Sequence, residues 1–380
     1  MFAKRWPERC LRVVLSCGCL VAFVAIPCWL AGSGEAGAAP IPAHGPLIIK
    51  NQSHKVYQRL RITSSTGDCV KIIDSYDITI ENSEIGPCAG NGVNISGGGD
   101  IQIFDSYIHP ETLSKGCCDH NDGVYAHHTS RITVQGNVIA YGESNIEATK
   151  NVAGLVVIGN FFLNPRGPYP RGQNVQAWKA SDIVVKDNYA LSSLDTQKYR
   201  YAENQEDSIN FGFASNIVAS GNYIKGGHSP SGCGLIADEG ANSAQFTANR
   251  LVDTGQCGIG IASGTDQVVE GNWVVNRNPV PKGGNTAVYV WNQYKRLPCG
   301  PVAVSNNIGT AVKQGGTLDG FSNGGGCEPV TLKDNIWGEP ARKQLDPVET
   351  KLPPPLIPPG PRTCVVRSPY STQTKWPPCD

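Results

Sequence analysis

From Leu47 to Trp337 the chain restates one short pattern: an apolar–polar alternation of four or five residues, closed by a polar corner. It reads DITIENSEI from Asp77, RITVQGNVIA from Arg131, DIVVKDNYAL from Asp182, NIVASGNYIK from Asn216 and PVTLKDNIWG from Pro329. Period two over so few residues, rich in Val and Ile, predicts short strands with one buried face. Aligned, the segments place Asn at one offset in Asn137, Asn160, Asn188, Asn222, Asn249, Asn272, Asn307 and Asn335, and Ser83 and Ser106 hold that place in two earlier copies. The spacing runs from 23 residues (Ser83 to Ser106) to 35 (Asn272 to Asn307). A fixed local pattern on a variable spacing is what one constant coil with loop insertions produces. Equivalent strands one coil apart then pair in parallel, and each coil buries its alternate residues against its neighbours. The expected fold class is all-β, a single-stranded parallel β-helix solenoid of about ten to eleven coils. Asn suits the corner because it tolerates left-handed backbone and because its amide can bond across stacked coils.

A second strand precedes the Asn-bearing one in each coil: DGVYAHH from Asp122, SNIEATK from Ser144, QNVQAWK from Gln173, DSINFGF from Asp207, CGLIADE from Cys233, CGIGIAS from Cys257 and AVYVWNQ from Ala287. Val124, Ile146, Val175, Ile209, Leu235, Ile259 and Val288 are the inward anchors. Alternation then sends the next residue, and the third after the anchor, to the outer face. One outward column is Tyr125, Glu147, Gln176, Asn210, Ile236, Gly260 and Tyr289; the other is His127, Thr149, Trp178, Gly212, Asp238, Ala262 and Trp291. Insertions such as HPETLSKGCCDHN, NPRGPYPRG and SSLDTQKYRYAENQE fall just before this strand, so they should stack into a wall beside an exposed face.

Cysteine placement agrees with winding. Cys233-Gly234 and Cys257-Gly258 occupy the same place in successive coils, as do Cys299-Gly300 and Cys327-Glu328. Stacked strands about 4.8 Å apart suit disulfide geometry, which predicts Cys233–Cys257 and Cys299–Cys327. Cys364–Cys379 should close the tail, and Cys69, Cys88, Cys117 and Cys118 should form two further bridges of undetermined pairing. Residues 1–38 read as a secretory signal: Lys4, Arg5, Arg9 and Arg12 precede an apolar run from Val13 to Ala31, and Ala36-Gly37-Ala38 fits an A-x-A cleavage site. The expected organisation is this signal, a β-helix domain over 39–337, and a Pro-rich extension over 338–380 containing KLPPPLIPPGPR. A secreted or periplasmic location follows, with no membrane association after cleavage.

Composition narrows the function. There are 44 Gly, 27 Pro and one Met, and 32 basic residues balance 32 acidic ones. A net charge of zero points to neither nucleic acid nor an anionic membrane as partner. An extended face with outward Trp and Tyr among Asn, Gln and Glu suits an oligosaccharide, whose sugar faces stack on rings while hydroxyls meet the polar groups. Tyr125, Glu147, Gln176, Trp178, Asn210, Asp238 and Trp291 are the candidate substrate-binding residues.

The loop RGPYPRG carries Arg166-x-Pro168-x-x-Arg171. Together with the coil repeat, this resembles the right-handed parallel β-helix, or pectate-lyase-like, superfamily over roughly Leu47 to Trp337. The resemblance implies β-elimination on an acidic polysaccharide, with Arg166 as the base and Arg171 binding substrate. It also implies Ca²⁺: NDGVYA is similar to the family's D-G-x-x-D element, although Ala126 stands at the second Asp, and Asp122 and Glu143 are the candidate ligands. His127 and Lys179, with His120, are alternative bases; an imidazole suits proton abstraction without a metal. Two other functions share the scaffold. Hydrolysis needs paired carboxylates, for which Glu147 with Asp122, or Glu206 and Asp207 with Asp238, are candidates; a non-catalytic glycan-binding protein needs neither.

Overall fold

The structure, a computed structural model, describes residues 43–110, 121–167, 170–192, 205–281 and 283–349. The signal segment, Cys117, Cys118, His120, Pro168, the Pro-rich stretch and Cys364–Cys379 lie outside the described residues. The chain winds as an all-β parallel solenoid of about 10 turns. Three strands make each complete turn, and equivalent strands stack into three ladders, called sheets 1 to 3, of which the first two merge into one 20-stranded sheet. Sheet 1 holds the expected outward columns, in strands such as Val124–His127, Ile209–Gly212 and Thr286–Trp291. Sheet 2 holds the alternating strands that end at the Asn corner, such as Ser130–Gln135 and Ser215–Ser220. Sheet 3 follows the corner, in strands such as Phe161–Leu163 and Tyr223–Gly226. Ile146–Ile158 and Val175–Lys186 run unbroken from sheet 1 into sheet 2.

The core is the stack of inward residues. Val124, Ile146, Val175, Ile209, Leu235, Ile259 and Val288 are all buried, as alternation requires. They continue into Val93 and Val70 above, and Phe211 and Phe246 fill the middle. Residues 43–64 form a first coil of the same kind, with Ile48 and Val56 exposed on it. Among the described residues no helix is long and apolar enough to cross a membrane.

The Asn corner is a ladder. Asn222 Nδ2 donates to Asn249 Oδ1 at 2.9 Å and to the Val185 carbonyl at 2.9 Å, while its own Oδ1 accepts from the Asn188 backbone N–H and side chain. The same exchange joins each neighbouring pair from Asn137 to Asn335. Where Ser stands, its Oγ accepts the N–H of the coil before: Ser106 Oγ bonds Ser83 N at 3.1 Å. One expectation needs correcting. The left-handed backbone falls not on the ladder Asn but on the residue before it, as in Gly136, Asp187, Gly221 and Asn306. That residue turns the chain, which frees the Asn to aim its amide inward.

Both predicted bridges between coils are present, with Cα atoms 4.6 Å apart in Cys233–Cys257 and 4.4 Å apart in Cys299–Cys327. Cys69 pairs with Cys88. The segment after Gly338 is not extended from its start: Glu339–Glu349 forms helix α1. Pro340 sits in its first turn, where a missing N–H costs nothing. Ala341 and Leu345, one turn apart, pack on Val252 and Val275 of sheet 3.

Candidate functional site

The outer face of sheet 1 has the expected register. Tyr125 pairs with Glu147, Glu147 with Gln176, Gln176 with Asn210, Asn210 with Ile236, Ile236 with Gly260 and Gly260 with Tyr289. His127, Thr149, Trp178, Gly212 and Asp238 form the second column in the same order. The columns point outward, yet the first is not solvent-exposed as its polarity suggested. Tyr125, Glu147, Gln176 and Asn210 are 4 to 8% exposed. Long neighbours shelter them: Lys150 Nζ meets Tyr125 Oη at 3.5 Å, and Arg171 Nη2 meets Glu147 Oε1 at 3.4 Å.

A third line of side chains lies where the insertions enter sheet 1, two residues before each anchor. It includes Asp68, Asn91, Asp122, Ser144, Gln173, Asp207 and Cys233. Most of them take a backbone N–H from the next coil. Asn91 N donates to Asp68, Asp122 N to Asn91, Ser144 N to Asp122 and Cys233 N to Asp207. The Asp207 carboxylate therefore has a fixed orientation, and Asn210 Nδ2 binds its second oxygen at 2.8 Å.

Around Asp207 the acids converge. Glu206, one residue earlier, accepts from Gln173 Nε2 at 3.0 Å. Asp238, in the column beside Asn210, accepts from the Asn210 amide and the Tyr294 hydroxyl, and from Glu239 N at 2.9 Å. Burial, and then repulsion by Asp207 and Asp238, raise the proton affinity of Glu206 to about 8. Burial does the same for Asp207, to about 7, partly offset by the Cys233 N–H. Asp238 and Glu239 are also pushed up by burial, and Tyr294 more strongly. Below this cluster the floor turns apolar: Ile236, the Cys233–Cys257 bridge and Ala262 carry Tyr289, Trp291 and Tyr294, with the Tyr289 and Trp291 rings stacked at 4.1 Å.

A second acidic group lies above, where Asp122, Glu143 and Glu147 are buried. Burial and the Glu147 charge push Asp122 well up. Among the described residues no group of three or more His, Cys, Asp or Glu converges as a metal site.

The remaining sequence candidates are placed as follows. Arg166 is 8% exposed; its Nε donates to the Tyr141 carbonyl at 2.6 Å and its Nη2 to Asn121. This guanidinium fastens two loops rather than facing a groove. Arg171 is the cation among the acids, and its field reaches Asp122, Glu147 and Glu206. His127 lies against Tyr125, ring centroids 5.1 Å apart. Trp178 is half-buried; its Nε1 donates to Glu239 at 2.6 Å, and Lys179 Nζ stands 4.0 Å over its ring. Glu239 and Tyr294 escaped the sequence reading. Glu239 could have been found from its position next to Asp238, whereas Tyr294 lies in the turn after Thr286–Trp291, where periodicity carries no signal.

Residues 47–164 match the family model described as a right handed beta helix region. No curated protein matches the sequence. Three solved structures are similar. The surface adhesin PfbA of Streptococcus pneumoniae is 12% identical with a TM-score of 0.49, covering 78% of this chain and 84% of its own. DFA-IIIase from Arthrobacter chlorophenolicus A6 is 12% identical with a TM-score of 0.44, covering 70% and 67%. The Dettilon tailspike protein is 11% identical with a TM-score of 0.43, covering 74% and 61%. The strand pairing itself shows the fold, a right-handed parallel β-solenoid.

Proposed function

We propose that this protein is an exported glycan-active enzyme that binds an extended sugar chain along the outer face of sheet 1. It hydrolyses a glycosidic bond at Glu206, Asp207 and Asp238. The observation that carries this reading is the convergence of two carboxylates from adjacent coils, Asp207 and Asp238, on one amide, Asn210, with Glu206 next in the chain to Asp207 and within the field of both. Glycoside hydrolysis needs one carboxyl that keeps its proton at the working pH and one that stays ionised. Glu206 keeps its proton near neutrality and is the acid, donating to the leaving oxygen as the bond breaks. Asp238, whose proton affinity burial raises and the bonds from Tyr294, the Glu239 N–H and Asn210 lower, is the carboxyl that acts on the sugar or its attacking water. Asp207, itself buried, keeps Asn210 in place and adds its repulsion to the burial that keeps Glu206 protonated. Tyr289 and Trp291 offer ring surface to the adjoining sugars.

Elimination would instead need a free base near the sugar C5 proton. Arg166 is occupied by Tyr141 and Asn121, which leaves His127 as the residue favouring that reading. Incubation with a panel of polysaccharides separates the two. Hydrolysis gives new reducing ends without absorbance from unsaturated ends, and Glu206→Gln removes them. Unsaturated ends identify elimination, and binding without either product identifies a recognition protein.

A further inference from the structure

The groove also bears on what kind of glycan it accepts. From Glu147 to Glu239 it is lined by carboxyl groups, those of Glu147, Glu206, Asp207, Asp238 and Glu239, with Asp122 one coil above. Among the described residues, the cations facing them include Arg171, already against Glu147, and Lys179, already over the Trp178 ring and acting on Glu239. A second, independent observation concerns hydrogen bonding. Among the described residues, Gln176 Oε1, an acceptor on a side chain 8% exposed, has no donor partner, and Asp122 Oδ2, on a side chain 1% exposed, has no hydrogen-bond partner. Buried acceptors without donors are costly unless a ligand supplies the donors.

Resting on the glycan reading above, we propose that the groove selects a glycan that is rich in donors and carries no negative charge. Sugar hydroxyls or ammonium groups satisfy Gln176 and the carboxylates. A polyuronate would bring a row of anions against a face lined with carboxyl groups and few cations among the described residues. The arginine motif that implied an anionic substrate does not offset this. One of its arginines is buried against Tyr141 and Asn121, and the other is paired.

The test is affinity electrophoresis of Glu206→Gln, in which bound chains persist, alongside the unaltered protein. Gels are cast with xylan, glucan, inulin or glucosamine oligomers, and in parallel with polygalacturonate, alginate or hyaluronan. Retardation by at least one uncharged or amino glycan, and by no polyuronate, is expected. Gln176→Ala should weaken that retardation at least fivefold. Loss of retardation as salt rises marks the amino sugar as the ligand, and salt-insensitive retardation marks the neutral one. Retardation by a polyuronate overturns the charge selection but leaves the glycan groove standing. Failure of every glycan to retard either protein overturns both.

Discussion

Trp178 donates its indole N–H to the Glu239 carboxylate at 2.6 Å, although 61 residues separate them. They sit two coils apart, and the residue between them in the outward column is Gly212. A methyl group on Gly212 would stand 2.7 Å from Trp178 Cδ1 and 2.8 Å from Glu239 Oε2. The absent side chain is what lets an indole lie along the face and reach the next coil but one.

Gly212→Ala should therefore dislodge Trp178 rather than disturb the core. A charge-assisted hydrogen bond is lost, at a cost of about 1.5–3 kcal/mol. Tryptophan emission should shift to the red, and Trp178→Phe should show little further change on adding Gly212→Ala. An unchanged emission spectrum would show that the indole does not occupy the notch.

The acid cluster sets a pH dependence of stability. Glu206 moves from 4.5 in the unfolded chain to about 8 in the fold, and Asp207 from 3.8 to about 7. The folded protein therefore binds protons that the unfolded chain releases. This contribution is fully present below about pH 4, is lost as pH rises through 7 to 8, and is absent above. Glu206→Gln should raise the melting temperature by a few degrees at pH 8.5 and by much less at pH 5. Equal shifts at both pH values would mean the carboxyl is not held protonated.

Arg171 carries the counter-charge for Glu147, Asp122 and Glu206. Arg171→Met leaves a buried carboxylate without its partner and should cost about 2 kcal/mol in denaturant unfolding at neutral pH. Carbon-13 NMR of labelled Glu and Asp should show the acids keeping their protons to higher pH. Titration curves identical to those of the unaltered protein would place the guanidinium outside the cluster.

Asn222 donates to Asn249 and Val185 and accepts from Asn188. Asn222→Ala strands all of these groups in the interior, and a loss of about 3 kcal/mol or more is expected. Asn137→Ser should cost less, because Ser106 already fills a rung by accepting one backbone N–H. Midpoints of guanidinium unfolding rank the two; the reverse order would make the ladder a matter of side-chain volume.

The winding was legible in the sequence because alternation and the Asn offset are local signals that the fold multiplies. Every inward anchor and both outward columns fell where period two put them, and two bridges followed from equivalent places in successive coils. The site was legible only in part. Register brought Asn210 beside Asp238, but which residues shelter the columns depends on loops whose paths no periodicity encodes. Arg166 shows the limit: a motif match names residue types, whereas burial against the Tyr141 carbonyl decides what the guanidinium can do. The helix Glu339–Glu349 was hidden because the prolines after it dominate the tail's composition.

The polar rail through the interior keeps its step even where as many as 35 residues separate its rungs. Growth or loss of this molecule is thus quantised. Whole turns can be added or removed with the rail intact, and insertions at the mouth of sheet 1 reshape the groove at no cost to it. A cut through part of a turn would derail everything stacked beyond it.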